Sequence, residues 1–202
     1  MGRQAIPDPT SGVDVQDMGS IKYNNCIVGH PIMPKGLKET SSLIEISFQT
    51  TESAANTFTQ ERVDLQLNPL DNEVFIVYAA NLDPFNPDAI AATDTSVLAS
   101  VCSTSQTTAA NLSVSNCLAS ANKSIRAAGF VDGGVAFENS AGETPPTTLE
   151  YIGIIATNDF FVQVEGVGNA TAKAVSGRLY GVRAKADASI YAALVQSEVL
   201  SS

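Results

Sequence analysis

The sequence has no tryptophan and a single histidine, His30, in 202 residues. A serine or cysteine nucleophile activated by histidine would depend on His30, and no G-x-S-x-G motif accompanies it. Walker A and G-x-G-x-x-G motifs, which bind phosphate groups, are absent as well. These absences argue against an enzyme, and we expect His30 to have a packing or loop role.

Charged residues are scarce, and most of those present are acidic. They make up 16% of the chain, below the roughly 25% of an average soluble domain, and the formal net charge is -10. No Lys or Arg lies between Arg62 and Lys123. Nucleic-acid binding requires a basic patch, so we expect no nucleic-acid partner. An uncharged polar surface is typical of a subunit covered by neighbours, or of a β-domain with a neutral surface.

Long apolar runs and a secretory leader are missing too. No run approaches the roughly 18 apolar residues that a membrane-spanning helix needs, so we expect no membrane partner. The first residues lack the apolar segment of a signal peptide.

The three cysteines are too few and too irregularly spaced for a disulfide scaffold or a zinc site. Cys102 and Cys117 could pair across a hairpin in an oxidising compartment, which would leave Cys26 over. We expect reduced, buried thiols instead, because an unoxidised cysteine behaves as a small hydrophobic residue.

Alternating apolar residues predict many short strands. The runs 149–156, 160–165 and 174–183 follow one another with turn residues between them, which predicts a β-meander at the end of the chain. The runs 63–67 and 73–78 are joined by turn residues and predict a hairpin. Such strand-rich patterns with little helix favour a β-sandwich or jelly roll.

The alternation of apolar residues is absent at the start of the chain and present after it, and this difference predicts the domain organisation. Residues 1–20 contain prolines and polar residues without an apolar period, which predicts an extended N-terminal arm. Residues 21–202 are expected to form a single β-sandwich domain, with a Ser/Thr/Ala-rich excursion at about 89–129 in which residues 97–101 and 112–118 predict strands. Asp187 can cap a short C-terminal helix. The predicted fold class is therefore all-β, sandwich- or jelly-roll-like, with an arm and a short C-terminal helix.

One loop carries oxygen-bearing side chains at close spacing. Asn81, Asp83, Asn86 and Asp88 lie within eight residues and could converge on a calcium ion, the one cofactor that the sequence suggests. The spacing is not that of an EF-hand, and the same residue types are those that turns require. The site is therefore either a calcium site or a solvated turn.

The last third of the chain resembles the endings of small structural proteins from virions of tailed phages and related prokaryotic viruses. The resemblance rests on residues 148–166, on Gly177-Arg-Leu-Tyr-Gly-Val-Arg-Ala-Lys-Ala186 and on residues 190–198. It implies a capsid-associated role, as a decoration, cement or minor capsid subunit, without an active site.

These observations predict a structural subunit of a viral particle that acts without catalysis and assembles through its N-terminal arm and its low-charge surface. Its expected partners are further copies of itself, in a trimer or another cyclic assembly, and other capsid subunits. Its expected location is the virion. The alternative is a carbohydrate- or receptor-binding β-sandwich module, with or without calcium. An enzyme of hydrolase type would need His30 beside a carboxylate and a nucleophile in one cleft.

Overall fold

The fold is known from a computed structural model, which describes residues 33–127, 129, 135–139, 142–143 and 149–200. For residues 136–139 and 142–143 the description covers the backbone. The predicted arm at 1–20, together with Cys26 and His30, lies outside the described residues. The predicted domain boundary between residues 20 and 21 therefore stays a prediction.

Two antiparallel sheets, one of six strands and one of five, form the described fold. In chain order the strands are β1 (Leu37–Glu39), β2 (Ile44–Thr51), β3 (Thr59–Asp64), β4 (Glu73–Pro84), β5 (Thr95–Cys102), β6 (Cys117–Arg126), β7 (Val135–Asn139), β8 (Gly142–Glu143), β9 (Gly153–Ile155), β10 (Asp159–Val167) and β11 (Ala174–Ala186). In the first sheet, β11 pairs with β1 and β2 on one side and with β4 on the other, and β4 also pairs with β8 and β9. The second sheet has the order β3-β10-β5-β6-β7.

Strands that follow one another in the chain often lie in different sheets. Two predicted strand pairings, the C-terminal meander and the hairpin at 63–78, were therefore wrong. The three C-terminal strands exist, but β9 and β11 belong to the first sheet and β10 to the second, so they form no meander. Likewise β3 and β4 lie in different sheets rather than in a hairpin. The crossing before β10 is fixed by Asn158, whose carbonyl accepts a hydrogen bond from Leu65 N (2.8 Å) at the end of β3. A turn sequence permits such a crossing as readily as a hairpin.

The main core fills the space between the two sheets. Phe75, Val77 and Leu179 of the first sheet and Phe160, Val162 and Val164 of the second are fully buried members of this core. The ring of Phe48 meets that of Phe160 edge to face at 5.9 Å. These inward residues alternate with outward ones along each strand, so the β-sandwich that the sequence predicted is confirmed.

A second, smaller core lies on the outer face of the first sheet, under the helix α1 (Ala188–Leu200). Ile190, Tyr191, Leu194 and Val195 pack there against buried residues of β4 and β11, among them Val74, Ile76 and Val182. The predicted C-terminal helix is thus confirmed. Among the described residues, no helix has both the length and the apolar character needed to cross a membrane.

The outer face of the second sheet is covered by the loop of residues 103–116. Gln163 of β10 points outward and is nevertheless fully buried under this loop, where its Oε1 accepts hydrogen bonds from Ser100 Oγ (2.7 Å) and Ala110 N (3.1 Å). Its Nε2 donates to Gln60 Oε1 (3.1 Å), which also accepts from Gln106 N (2.8 Å). The loop therefore satisfies the polar groups of the sheet that it covers.

The Ser/Thr/Ala-rich stretch supplies central strands of the second sheet. The predicted strand at 97–101 lies within β5, but the one predicted at 112–118 was wrong over most of its length, since β6 begins at Cys117. Successive turns replace it, because Val114 N donates to Asn111 O and Cys117 N donates to Val114 O, both at 3.0 Å. The side chain of Asn111 also accepts from Ser113 N (2.8 Å), so local bonding competes with strand pairing.

Candidate binding surface

The outer face of the first sheet has an apolar half under α1 and a polar half that the helix leaves uncovered. A register shift between Tyr180 and Gly181, opposite Tyr78 and Ala79, separates the two halves. We call the uncovered half the open face, and it consists of Ser47 and Gln49 of β2, Ser176 and Arg178 of β11, and Asn81 and Asp83 of β4.

Strand pairing arranges the open face in two rows. Arg178 lies between Ser47 and Asn81, and Ser176 lies between Gln49 and Asp83. The guanidinium of Arg178 forms an ion pair with Glu45 (2.8 Å). A cleft of about 330 Å³ opens along these rows. Because these side chains carry amide, hydroxyl, carboxylate and guanidinium groups, the surface can both donate and accept hydrogen bonds.

A second cleft, of about 520 Å³, adjoins the first and shares Asp83 with it. Its lining includes Phe85 and Asn86, which follow β4, and Lys123 of β6. Lys123 Nζ lies 3.1 Å from Asp83 Oδ1, and the Lys123 side chain is only 14% exposed whereas that of Asp83 is 75% exposed. The ring of Phe85 is half exposed. An apolar ring thus stands beside a set of charged and amide groups.

Thr171 and Lys173, which also line the second cleft, are held in a cluster around Asp88. Lys173 Nζ contacts Asp88 Oδ1 at 2.5 Å, while Asp88 Oδ2 accepts hydrogen bonds from Thr171 N (3.0 Å), Thr171 Oγ1 (2.9 Å) and Ala170 N (3.0 Å). The hydrogen bond from Lys173, aided by those from Thr171, lowers the pKa of Asp88 to about 2. Asp88 is therefore ionised in this cluster at neutral pH.

The four residues predicted as calcium ligands are placed in two groups. Asn81 and Asp83 lie two residues apart along β4 on the open face. Asn86 lines the second cleft together with Asp83. Asp88 is turned toward Lys173 and Thr171. In the part of the chain that the structure describes, no three His, Cys, Asp or Glu side chains are placed to hold a metal together. Calcium would have to displace two lysine ammonium groups, and its binding stays a prediction.

The sequence analysis missed three side chains of this surface, namely Phe85, Lys123 and Arg178. Lys123 is the first basic residue after the long stretch that has none, and this position is a signal that could have been used. Its partner Asp83 lies 40 residues earlier in the chain and in the other sheet. Only the packing of the two sheets brings them together.

No family model matches the chain, and no curated protein matches it significantly. Among solved structures, a chain of Desmodium yellow mottle tymovirus is similar, with 14% sequence identity and a TM-score of 0.23. The match covers 78% of this chain and 97% of that chain. At this TM-score the similarity supports no conclusion about fold or function.

Proposed function

We propose that this chain is a non-enzymatic structural subunit of a viral particle, either a capsid protein or a protein that decorates the capsid. In the virion it assembles with further copies of itself in a trimer or another cyclic arrangement and with other capsid subunits. It contacts neither membrane nor nucleic acid, because its net charge of -10 would repel packaged nucleic acid.

The observation that carries this proposal is the low charge of the chain. Only 16% of its residues are charged, and protein interfaces are depleted in charge relative to other protein surface. A subunit inside a shell has neighbours on several sides, so much of its surface must have an interface composition. The open face fits this requirement in part, since four of its six residues, Ser47, Gln49, Asn81 and Ser176, are uncharged.

Leu70 provides a second, local support. This side chain is 93% exposed, at the tip of a 3₁₀ turn that spans Pro69–Asp71. The turn is held by Asn68, whose side chain accepts from Leu70 N (3.1 Å), and by the ion pair of Asp71 with Lys185 (2.9 Å). A large apolar side chain on a well-bonded turn is suited to contact a neighbouring subunit, since little conformational entropy is lost there on binding.

The test is the native mass of the purified chain by sedimentation, with cross-linking between copies. We expect a discrete oligomer that Leu70→Asp weakens at least several-fold. Ala193→Asp, which places the same charge on the exposed side of α1, serves as the matched control and should leave the oligomer unchanged. A monomer at all concentrations, with no cross-links between copies in native particles, would contradict the proposal.

A second candidate function is a carbohydrate- or receptor-binding module, and the specific observation in its favour is the half-exposed ring of Phe85. Sugar rings stack on aromatic side chains while their hydroxyl groups bond to carboxylates and amides, and Asp83 and Asn86 line the same cleft. Calcium, if it binds at Asn81 and Asp83, would add ligands for sugar hydroxyl groups.

Glycan-array binding of the wild-type chain and Phe85→Ala would test this second function. We expect the variant to lose binding, whereas Leu112→Ala, which removes an exposed apolar side chain elsewhere, should retain it. Repeating the array with calcium and then with a chelator tests the metal. Unchanged binding of Phe85→Ala would exclude the cleft as the binding site.

A further inference from the structure

Two cysteines lie directly opposite each other where β5 and β6 begin to diverge. The strand register pairs Cys102 with Cys117 just beyond a shift that follows Val101. The next pair along the strands is joined by a hydrogen bond from Ser103 N to Asn116 O (3.0 Å). Hydrogen-bonded and non-hydrogen-bonded pairs alternate in antiparallel sheets, so Cys102 and Cys117 occupy the closer, non-hydrogen-bonded type of position.

This type of position meets the geometric requirement of a disulfide. Its Cα atoms are about 4.5 Å apart, and disulfides join Cα atoms that are about 4.4–6.8 Å apart. Both cysteines are present as thiols at facing positions of the two strands. Little movement therefore separates the dithiol from the disulfide.

The two thiols differ in exposure. Cys102 is fully buried and donates to Gln163 Oε1 (3.8 Å), whereas Cys117 is partly exposed and donates to Ala119 O (3.4 Å). The contact with Cys117, together with burial, raises the pKa of Cys102. Oxidants in solution therefore meet Cys117 first, and Cys102 reacts second, within the protein.

We propose that Cys102 and Cys117 are an oxidation site, at which a low-molecular-weight disulfide such as oxidised glutathione converts the two thiols into a cross-strand disulfide. The thiolate of Cys117 attacks one glutathione sulfur and releases one glutathione thiolate, which takes up a proton. Cys102 then loses its proton and attacks Cys117 Sγ in the mixed disulfide, which releases the second glutathione. Two protein thiols are oxidised, and one glutathione disulfide is reduced to two thiols.

The new bond closes the loop 103–116 at its base. This loop covers Gln163, and its Ala110 N donates to Gln163 Oε1, so the bond fixes the outer cover of the second sheet. The biological role of the bond rests on the proposed function. A subunit made in a reducing cytosol and released in a particle meets an oxidising exterior, where disulfides persist. The bond would then form only after release.

The test uses the full chain with Cys26→Ser, incubated at graded ratios of oxidised to reduced glutathione and then alkylated. Trypsin leaves both cysteines in one peptide, because no Lys or Arg lies between Arg62 and Lys123. We expect this peptide to escape alkylation and to weigh about 2 Da less than the dithiol form. The oxidised chain should melt about 6–12 °C higher, because the bond restricts the unfolded loop.

The same titration in urea provides the control. Since the fold holds the two thiols together, the folded chain should oxidise at a lower glutathione ratio than the unfolded chain. Equal ratios, two alkylated cysteines at the highest ratio, or disulfide-linked dimers would overturn the proposal. If the disulfide forms in the purified chain but the chain is found in no virus particle, the proposed virion function would be contradicted and the oxidation site would stand.

Discussion

Two glycines of β11 let aromatic rings of the main core approach the backbone. A Cβ atom at Gly177 would lie 2.7 Å from the ring of Phe48, and one at Gly181 would lie 2.5 Å from the ring of Phe75 and 2.2 Å from Ile76 O. The backbone oxygen cannot move away without disturbing the pairing of β4 with β11. These two positions therefore need glycine for space.

Gly181→Ala should lower the free energy of unfolding by about 1–3 kcal/mol, because the methyl group overpacks the core against β4. Urea unfolding followed by circular dichroism measures the change. Ser176→Ala, in the same strand but on the open face, is the matched control and should shift the midpoint little. Equal effects of the two substitutions would show that the close approach at Gly181 is relaxed without cost.

Glu198 is a buried carboxylate near the end of α1. It accepts hydrogen bonds from Ala156 N (3.2 Å) and Thr157 N (2.9 Å). Burial raises the pKa of Glu198 above its ordinary value of 4.5, and the negative charge of Asp159 adds to the effect, against the opposing hydrogen bonds. The folded chain thus binds this proton more tightly than the unfolded chain does.

Because the pKa of Glu198 is higher in the folded chain than in the unfolded chain, its contribution to the free energy of unfolding falls as the pH rises from about 4.5 through the raised pKa. Glu198→Gln should remove that fall, so its stability should depend less on pH up to about pH 7 than that of the wild type. Urea midpoints across this range, with Glu45→Gln as an exposed control, measure it. Asp88 does not affect this measurement. Its pKa is about 2, so the stability that its ionised form contributes is lost only at lower pH. Parallel curves for wild type and Glu198→Gln would contradict the assignment.

At the scale of elements, α1 is attached to the sandwich through its inward apolar side chains and through the hydrogen bonds of Glu198. Leu194→Asp places a charge in the small core beside Val182 and should detach the helix locally while the main core stays folded. Hydrogen exchange should then be faster in residues 188–200 and unchanged in β10. Ala193→Asp, on the exposed side of the same helix, should leave exchange as it was. Global loss of protection in Leu194→Asp would mean that the helix and the sandwich unfold together.

The sequence predicts most strands of this fold but not their partners. The alternation of Phe160, Val162 and Val164 with outward residues is local, and it correctly predicts β10. Whether β10 pairs with its neighbours in sequence depends on which sheet offers a free edge, and β10 in fact lies between β3 and β5. The C-terminal helix was predictable from local signals too. Asp187 is a capping residue, and apolar residues of the helix lie four residues apart.

The same limit applies to the candidate site. Asn81 and Asp83 could be singled out because they are close in sequence and polar. Lys123 and Arg178 come from distant strands, and no local pattern shows that they face Asp83 and Asn81. The prediction of calcium ligands from the loop alone therefore missed the ammonium group of Lys123, which pairs with the exposed carboxylate of Asp83.

At the scale of the whole molecule, the net charge of -10 opposes contact between identical copies. If the chain assembles as proposed, raising the ionic strength from about 0.05 M to about 0.5 M should strengthen the oligomer, because salt screens this repulsion. Sedimentation velocity at both salt concentrations measures the change. Dissociation at high salt would instead indicate that ion pairs hold the copies together.

β11, near the end of the chain, is the strand on which the first sheet depends, since β1, β2 and β4 all pair with it. During synthesis the ribosome delivers this strand after the other ten, so β1 and β2 have no sheet partner among the described strands until β11 has been made. The first sheet therefore cannot be completed before β11 has been synthesised. Nascent chains arrested before residue 174 should remain sensitive to protease, and any subunit that joins an assembly must have been synthesised through β11 first.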